Sequence, residues 1–372
     1  MGLILPGWLL SGEWRVRFSR IQALPSLLLP LGLVLIYSLA TLGGPGAPLA
    51  ALLPLALIPL CIGTAPQLPF WRLAQVFVAA CALVGLLCLG HAAWRTLAEG
   101  TFRMDYFQYI ELGKWLDLHP AYISMQLNLA CLLLVCLASQ PGYALPKWAT
   151  YAGLAFFFIL ILLFESRMQI LILLGMAAGG LGFLAIKHRR IWQTAGLLAL
   201  VFASALLFMA ADSGTRGRMM DLVEQKELPV RKLNNSGTAV RRYIWGHTKE
   251  IAFEHPAGIG AGRFQQELDR RYRQDGFPNV GMNAHNQYLE TAATAGIAGL
   301  ILLLGVVVWP IVFCIRRGQW LYAGGMAVIA LSLLTESMLQ RQMGLMTLAF
   351  FYGLFLYQAS QTTPTAPEYH FS

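Results

Sequence analysis

Apolar runs near twenty residues long recur along the whole chain, and this constrains its fold more than any other feature. Wound as a helix at about 1.5 Å per residue, such a run crosses the roughly 30 Å hydrocarbon layer of a bilayer. No water reaches that layer, so a spanning segment must satisfy its own backbone polar groups, which leaves helices or a closed barrel. A barrel would show short segments of alternating hydrophobicity, whereas these runs are continuous. Of the residues, 57% are hydrophobic and only 12% charged, about half the charge of a soluble domain. The expected fold is all-α, a polytopic transmembrane helix bundle with spans at 23–42, 46–63, 73–92, 119–139, 147–164, 168–186, 192–211, 287–315, 320–339 and 343–359, about ten in all. The stretch 287–315 is long for one span, so either its first turns lie at the interface or the helix tilts.

The basic residues set an expected orientation. With the N-terminus inside, the inner ends and loops hold Arg15, Arg17, Arg20, Arg72, Lys147, Lys187, Arg189, Arg190, Arg316 and Arg317 against only Glu13 and Glu368. The first long outer loop, 93–118, is acidic on balance, with Arg95, Arg103 and Lys114 facing Glu99, Asp105, Glu111 and Asp117. The positive-inside rule then places both termini in the cytoplasm. Much of the +9 formal charge is thus a topological signal, and no nucleic-acid partner is expected. Arg15, Arg17 and Arg20 precede the first long apolar run, as in an uncleaved anchor. The cysteines 61, 81, 88, 131, 136 and 314 all lie inside apolar runs, where they read as small buried hydrophobes with no disulfide or metal role. No internal repeat of the kind that marks many secondary transporters is visible.

Three domains are expected: an N-terminal bundle at 1–211, a large outer loop at 212–286, and C-terminal helices with a short tail at 287–372. Within the loop, "GTAVRRYIWGHTKEIAFEHP" reads as an amphipathic helix capped by Thr238 and stopped by Pro256. Val240, Ile244, Ile251 and Ala252 form its apolar face. "AGIGAG" follows as a turn in which Gly258, Gly260 and Gly262 are free to take positive φ. A second short helix is expected from Arg263 to about Arg273, before the chain returns to the membrane at His285.

By topology Arg167, Arg241 and His285 belong to the outer face near headgroup depth. Arginine offers phosphate oxygens a fork of donors and stays charged; histidine exchanges a proton near neutrality. Together they suit a phosphate or pyrophosphate ester. Each also has a plainer reading. Arg167 can snorkel to lipid phosphates, Arg241 can be a solvated helix residue, and His285 can cap the eighth span. His119, His247 and His255 read as loop histidines. Glu336 lies between the last two spans, where an internal pair with Arg341 and a substrate contact are equal alternatives. The loop shows no carboxylate cluster suited to a divalent metal and no nucleotide motif, so no metal and no cofactor are expected.

These pieces occur in a fixed order: Ser166-Arg167 at the top of a span, Arg241 to Trp245, His255 to Phe264 in "HPAGIGAGRF", and His285 to Gly296 in "HNQYLETAATAG". The pattern resembles the O-antigen ligase and O-antigen polymerase superfamily, over about residues 160–345. Ten residues stand between His285 and Gly296, the spacing of the ligase side of that family. Three spans after the loop also fit, whereas seven before it are fewer than the family's usual nine. The resemblance implies a metal-independent glycosyltransferase of the bacterial inner membrane with a periplasmic loop. Its donor would be a glycan on undecaprenyl pyrophosphate, and its acceptor lipid A–core for a ligase or another lipid-linked glycan for a polymerase. Arg167 and Arg241 would bind the donor pyrophosphate, and His285 would act as general base on the acceptor hydroxyl or orient it. Trp245, Arg263, Asn286 and Tyr288 would line the substrate site, and membrane lipids would surround the bundle. A transporter or flippase of a lipid-linked or anionic solute is the competing class, but its polar residues should lie near the midplane rather than at the outer rim.

Overall fold

The computed structural model describes residues 4–10, 12–42, 49–140, 145–188, 195–196, 199, 201–203, 230, 233 and 237–361. All regular structure among them is helical. In chain order the helices are α1 (Ile4–Leu10), α2 (Trp14–Ala23), α3 (Leu29–Thr41), α4 (Leu49–Gly63), α5 (Phe70–Glu99), α6 (Tyr109–Gly113), α7 (Pro120–Ala138), α8 (Lys147–Leu163), α9 (Arg167–His188), α10 (Thr238–Glu254), α11 (Ala261–Asp275), α12 (Gln287–Arg316), α13 (Trp320–Ser332) and α14 (Gln342–Gln361).

Four of these, α5, α7, α12 and α14, are long and apolar enough to cross a membrane. A fifth span results if α2 and the run Pro25–Thr41 count as one; they meet at 98°. The shorter α4, α8, α9 and α13 are also apolar. The expected ten spans are met to that extent. The span at 192–211 and the loop stretch 212–229 fall largely or wholly outside the described residues, as does the tail from 362. The span expected at 320–339 ends as a helix at Ser332. Polar Thr335, Glu336 and Ser337 follow, and the chain turns through a short 3-10 helix, Met338–Gln340, before α14.

The chain forms two compact units. One comprises residues 71–224 and therefore nearly all of α5 together with α6 to α9, with α7 packed on α8 and α9. Its core includes the fully buried Cys88, Leu112, Leu127, Ala130, Leu160 and Phe164. Within it Asn128 donates from Nδ2 to both the backbone oxygen and Oε1 of Gln169, each at 3.0 Å. Polar side chains are tolerated inside such a bundle where protein supplies partners; the Nδ2 of Asn128 has two, while its Oδ1 is buried without one.

The other unit joins residues 1–70 to 225–372. Here α14 packs along α4, while α12 packs against α3 and α13. The pair α10 and α11 closes over the start of α12 around Val240, Ile244, Ile251, Phe264, Leu268 and Tyr272. Ile244 and Ile251 are seven residues apart, about two helical turns, and fall on one face, as the apolar periodicity predicts. Full burial of side chains of this size contributes about 1.5–3 kcal/mol each, which fixes α10 and α11 as one layer. The helix limits differ slightly from expectation. Gly237, not Thr238, stands at the cap of α10, with no side-chain cap bond. The second loop helix is a turn longer than read, closed at its end by Gly276 at φ 69°.

Candidate functional site

The site forms where α10 meets the entry to α12. Asn286 is the N-cap of α12: its side chain accepts from the backbone N–H of Leu289 at 3.1 Å. This assigns to Asn286 the capping role that was one alternative for His285. His285 stands one residue outside the helix with φ 45°, a left-handed backbone that costs a residue with a Cβ energy and that clusters at functional positions. Asn283 holds the turn, its Oδ1 accepting from the His285 N–H at 3.2 Å. The Asn283 Nδ2 donates in turn to Gln340 Oε1 at 2.7 Å.

The imidazole is half-buried and turns Nδ1 toward Glu336, whose Oε2 lies 3.9 Å away. That Nδ1 is buried and has no hydrogen-bond partner. The other carboxylate oxygen of Glu336 faces Arg241 on α10, with Nη2 to Oε1 at 3.5 Å. Glu336 therefore bridges two residues that the sequence singled out independently. Its side chain is only 10% exposed, against 33% for Arg241. A carboxylate this buried requires cationic or hydrogen-bonding company. The internal pairing of Glu336 with Arg341 is thus replaced by contact with Arg241 and His285, and Arg341 is exposed. Arg242, one residue on from Arg241, turns outward and is exposed.

Gln287 explains why the chain unwinds after α13. Its backbone N–H donates to Leu333 O at 2.8 Å, and its Oε1 accepts from Leu339 N at 2.8 Å. Its Nε2 donates to Thr291 Oγ1 at 3.1 Å and to the Tyr37 hydroxyl at 3.3 Å. One buried residue thus satisfies backbone groups at both ends of the non-helical stretch that carries Glu336, as buried polar groups require.

The other expected residues are held as follows. Trp245 donates from Nε1 to Ala284 O at 3.0 Å, tying α10 to the residue before His285. The Tyr288 hydroxyl donates to Ala330 O on α13 at 2.8 Å. Arg263 is exposed near the start of α11. Arg167 is the first residue of α9 and belongs to the other unit; Glu165, two positions earlier, has φ 52°.

The glycines of the two motifs meet. Two helical segments join within α12 at a break, Gly296, with φ 69° and ψ −169°. The loop Pro256–Gly260 fills that break. Ile297 N donates to Pro256 O at 3.0 Å, Ile259 N to Ala293 O at 3.1 Å and Gly260 N to Thr294 O at 2.9 Å. A Cβ on Gly296 would lie 2.5 Å from Pro256 O, and one on Gly258 would lie 2.5 Å from Gly296 N. Only glycine permits this backbone-to-backbone approach, and positive φ favours it at both positions. The stretch from His285 to Gly296 is therefore one half-helix, with the site at one end and the loop clamp at the other.

Farther out, the loop helices are laced by ions. Arg271 bonds to Glu250, Glu254 and Glu267. Arg270, with help from Arg271, holds the Glu267 carboxyl well below the usual carboxylate range, at about 2. Burial and the bond to Asp275 raise the Tyr243 phenol above its usual range. Among the described residues no group of three or more His, Cys, Asp or Glu side chains is arranged to hold a metal ion.

Residues 152–304 match the family model described as O-antigen ligase. Among curated proteins, none matches the chain. The matched segment contains Arg167, Arg241, Trp245, Arg263, His285, Asn286, Tyr288 and Gly296, whereas Glu336 lies beyond it. Over that segment the chain is similar to the O-antigen ligase family.

Proposed function

We propose that this protein transfers a glycan from undecaprenyl pyrophosphate to a sugar hydroxyl on lipid A–core at the periplasmic face of the bacterial inner membrane, with both termini in the cytoplasm. The observation that supports it best is the cluster of Arg241, Glu336 and His285 at the mouth of a membrane helix, inside a chain whose segment 152–304 matches the ligase family. A lipid pyrophosphate is held at headgroup depth while its glycan projects outward, so the reacting bond sits where these side chains stand.

In this reading the acceptor oxygen attacks the anomeric carbon and the bond from that carbon to the pyrophosphate oxygen breaks. The acceptor proton passes to His285, and the electron pair of the broken bond leaves with undecaprenyl pyrophosphate. Arg241 stabilises the negative charge that grows on the leaving group, as fixed donors aimed at developing charge do. The family resemblance adds Arg167 as a second cation for the same pyrophosphate. With Nδ1 of His285 turned toward Glu336, Nε2 remains for the acceptor hydroxyl, and the carboxylate steadies the imidazolium that forms. Glu336 holds both residues in place, making it a positioning residue. Trp245, Asn286 and Tyr288 fix the backbone on either side of His285, and Arg263 is a further cation toward the glycan. The reaction needs no metal, since arginines supply the charge, and no nucleotide, since the donor is already activated.

Reconstituted protein supplied with purified undecaprenyl-pyrophosphate-linked glycan and lipid A–core tests the reading. Release of undecaprenyl pyrophosphate together with glycan-bearing lipid A–core is expected. Transfer to a second lipid-linked glycan instead would make the protein a polymerase, and movement of donor across the bilayer without bond cleavage would make it a transporter.

A further inference from the structure

We propose that the N-terminal segment, residues 4–23, is a membrane-surface element that binds the phosphate headgroup of an anionic phospholipid. The proposal is independent of the glycosyl-transfer reading.

The bend is the first observation. The run Pro25–Thr41 is the first long apolar stretch of the chain, and α2 meets it at 98°. A helix set perpendicular to a spanning one lies along the surface. Leu24 at φ −134° and ψ 66° makes the corner and Pro25 follows it; the residue before a proline is driven out of helical geometry. The composition of α2 suits that place. It contains Arg15, Arg17 and Arg20 and no acid. Trp14 and Phe18, four residues apart on one face, are exposed, and aromatic rings of this kind settle at headgroup depth.

The segment is docked, not trailing. Trp8 donates from Nε1 to Thr64 Oγ1 at 2.9 Å at the end of α4. Arg20 donates from Nη2 to Pro66 O at 3.0 Å and lies 5.1 Å from the ring centroid of Tyr357 on α14. Between α1 and α2 an open cavity of about 610 Å³ is lined by Trp8, Trp14, Arg15, Arg17, Phe18 and Gln22 among others. The Arg17 guanidinium sits 4.5 Å from the Trp8 ring centroid and 5.4 Å from that of Trp14, and the two indoles meet edge to face at 5.1 Å. Two guanidinium groups with aromatic walls match a phosphodiester joined to an apolar glycerol ester: the forks take phosphate oxygens and the rings cover the ester. The occupant is a phospholipid of the same membrane, because this surface, with Arg15, Arg17 and Arg20 against Glu13 alone, is net basic and complements an anionic leaflet.

Full-length protein reconstituted in phosphatidylcholine nanodiscs doped with phosphatidylglycerol, then released for native mass spectrometry, reports which lipid is retained. Wild type should retain phosphatidylglycerol over phosphatidylcholine. Arg15→Gln, at an exposed position, should lower that retention about fivefold, and Arg15→Gln with Arg17→Lys further still, since lysine keeps the charge but not the fork. Arg273→Gln, exposed on α11, should leave it unchanged. Unaltered retention in folded Arg15→Gln, an equal loss in Arg273→Gln, or equal retention of both lipids by wild type would overturn the proposal.

Discussion

On the N-terminal side of Gly296, α12 is buried and polar: Gln287, Glu290, Thr291 and Thr294 are all within 3% of full burial. On the other side it is exposed and apolar, with Ile297, Ile301, Leu304 and Val308 at spacings of four, three and four residues. The second half is an ordinary membrane helix with a stripe left for lipid. In the first, neighbours satisfy most of the polar groups, while Glu290 Oε2 is buried without a hydrogen-bond partner. Gln287 uses both ends of its amide, and the Thr294 hydroxyl donates to Glu290 O at 2.7 Å. At the break the carbonyls of residues 293 and 294 lose helical partners, and the loop at 256–260 takes their place. Irregular backbone at membrane depth survives where protein covers it. The contrast shows two environments within one helix: an apolar stripe left for lipid, and a buried polar half that suspends His285 from a fixed point.

The sharpest way to break this contrast is to place a methyl on either side of it. Gly296→Ala drives a Cβ against the Pro256 carbonyl in a positive-φ position and should cost at least about 2 kcal/mol, seen as a lower thermal midpoint with loss of glycan transfer. Gly305→Ala, where the new Cβ would meet Leu29 Cδ1 at an ordinary 3.5 Å, should stay within about 1 kcal/mol of wild type. Equal effects from the two would show that the break has no structural role.

A second test sharpens the role of the polar half. Glu336→Gln keeps the shape but removes the charge that faces Arg241 and His285, so transfer should fall about 10²-fold through misplacement of those residues. Membrane insertion and thermal midpoint should change little. Undiminished transfer would reduce Glu336 to a packing residue.

The smallest effect concerns the loop helices. Because the Glu267 carboxyl is held at about 2 in the folded protein, below its unfolded value near ~4.3, its contribution is fully present above that unfolded value. It is lost as pH falls from about 4.3 toward about 2. Protection factors for hydrogen exchange in α10 and α11, taken relative to the intrinsic rate at each pH, should fall across that window in wild type and change less steeply in Glu267→Gln.

Composition and periodicity carried the helical class, the loop helices and the order Arg241, His285, Gly296. The positive φ of Gly258 and Gly260 was legible too, since "AGIGAG" has few other uses; Gly262 instead lies inside α11. What escaped reading is long-range. Arg241 and Glu336 are separated by 95 positions, whereas Arg341 lies a short turn of chain beyond Glu336, so local proximity offered the Arg341 pair beside a substrate contact and gave no sign of Arg241. The break in α12 also left no hydropathy signal, because a glycine in an apolar run looks the same whether its φ is negative or positive. Gln287 escaped for a related reason: one amide at a helix start says nothing of the backbone groups on another segment that it satisfies.

The most direct measurement is the rate of glycan transfer by His285→Gln in proteoliposomes holding lipid-linked donor and lipid A–core. Glutamine can hydrogen-bond in place of the imidazole but cannot take up the acceptor proton, and a positioned base contributes about 10²–10⁴-fold. The expected result is a loss of that size in His285→Gln, equal to that in His285→Ala, with folding and insertion as in wild type. Transfer by His285→Gln at the wild-type rate would contradict the assignment of His285 as the base.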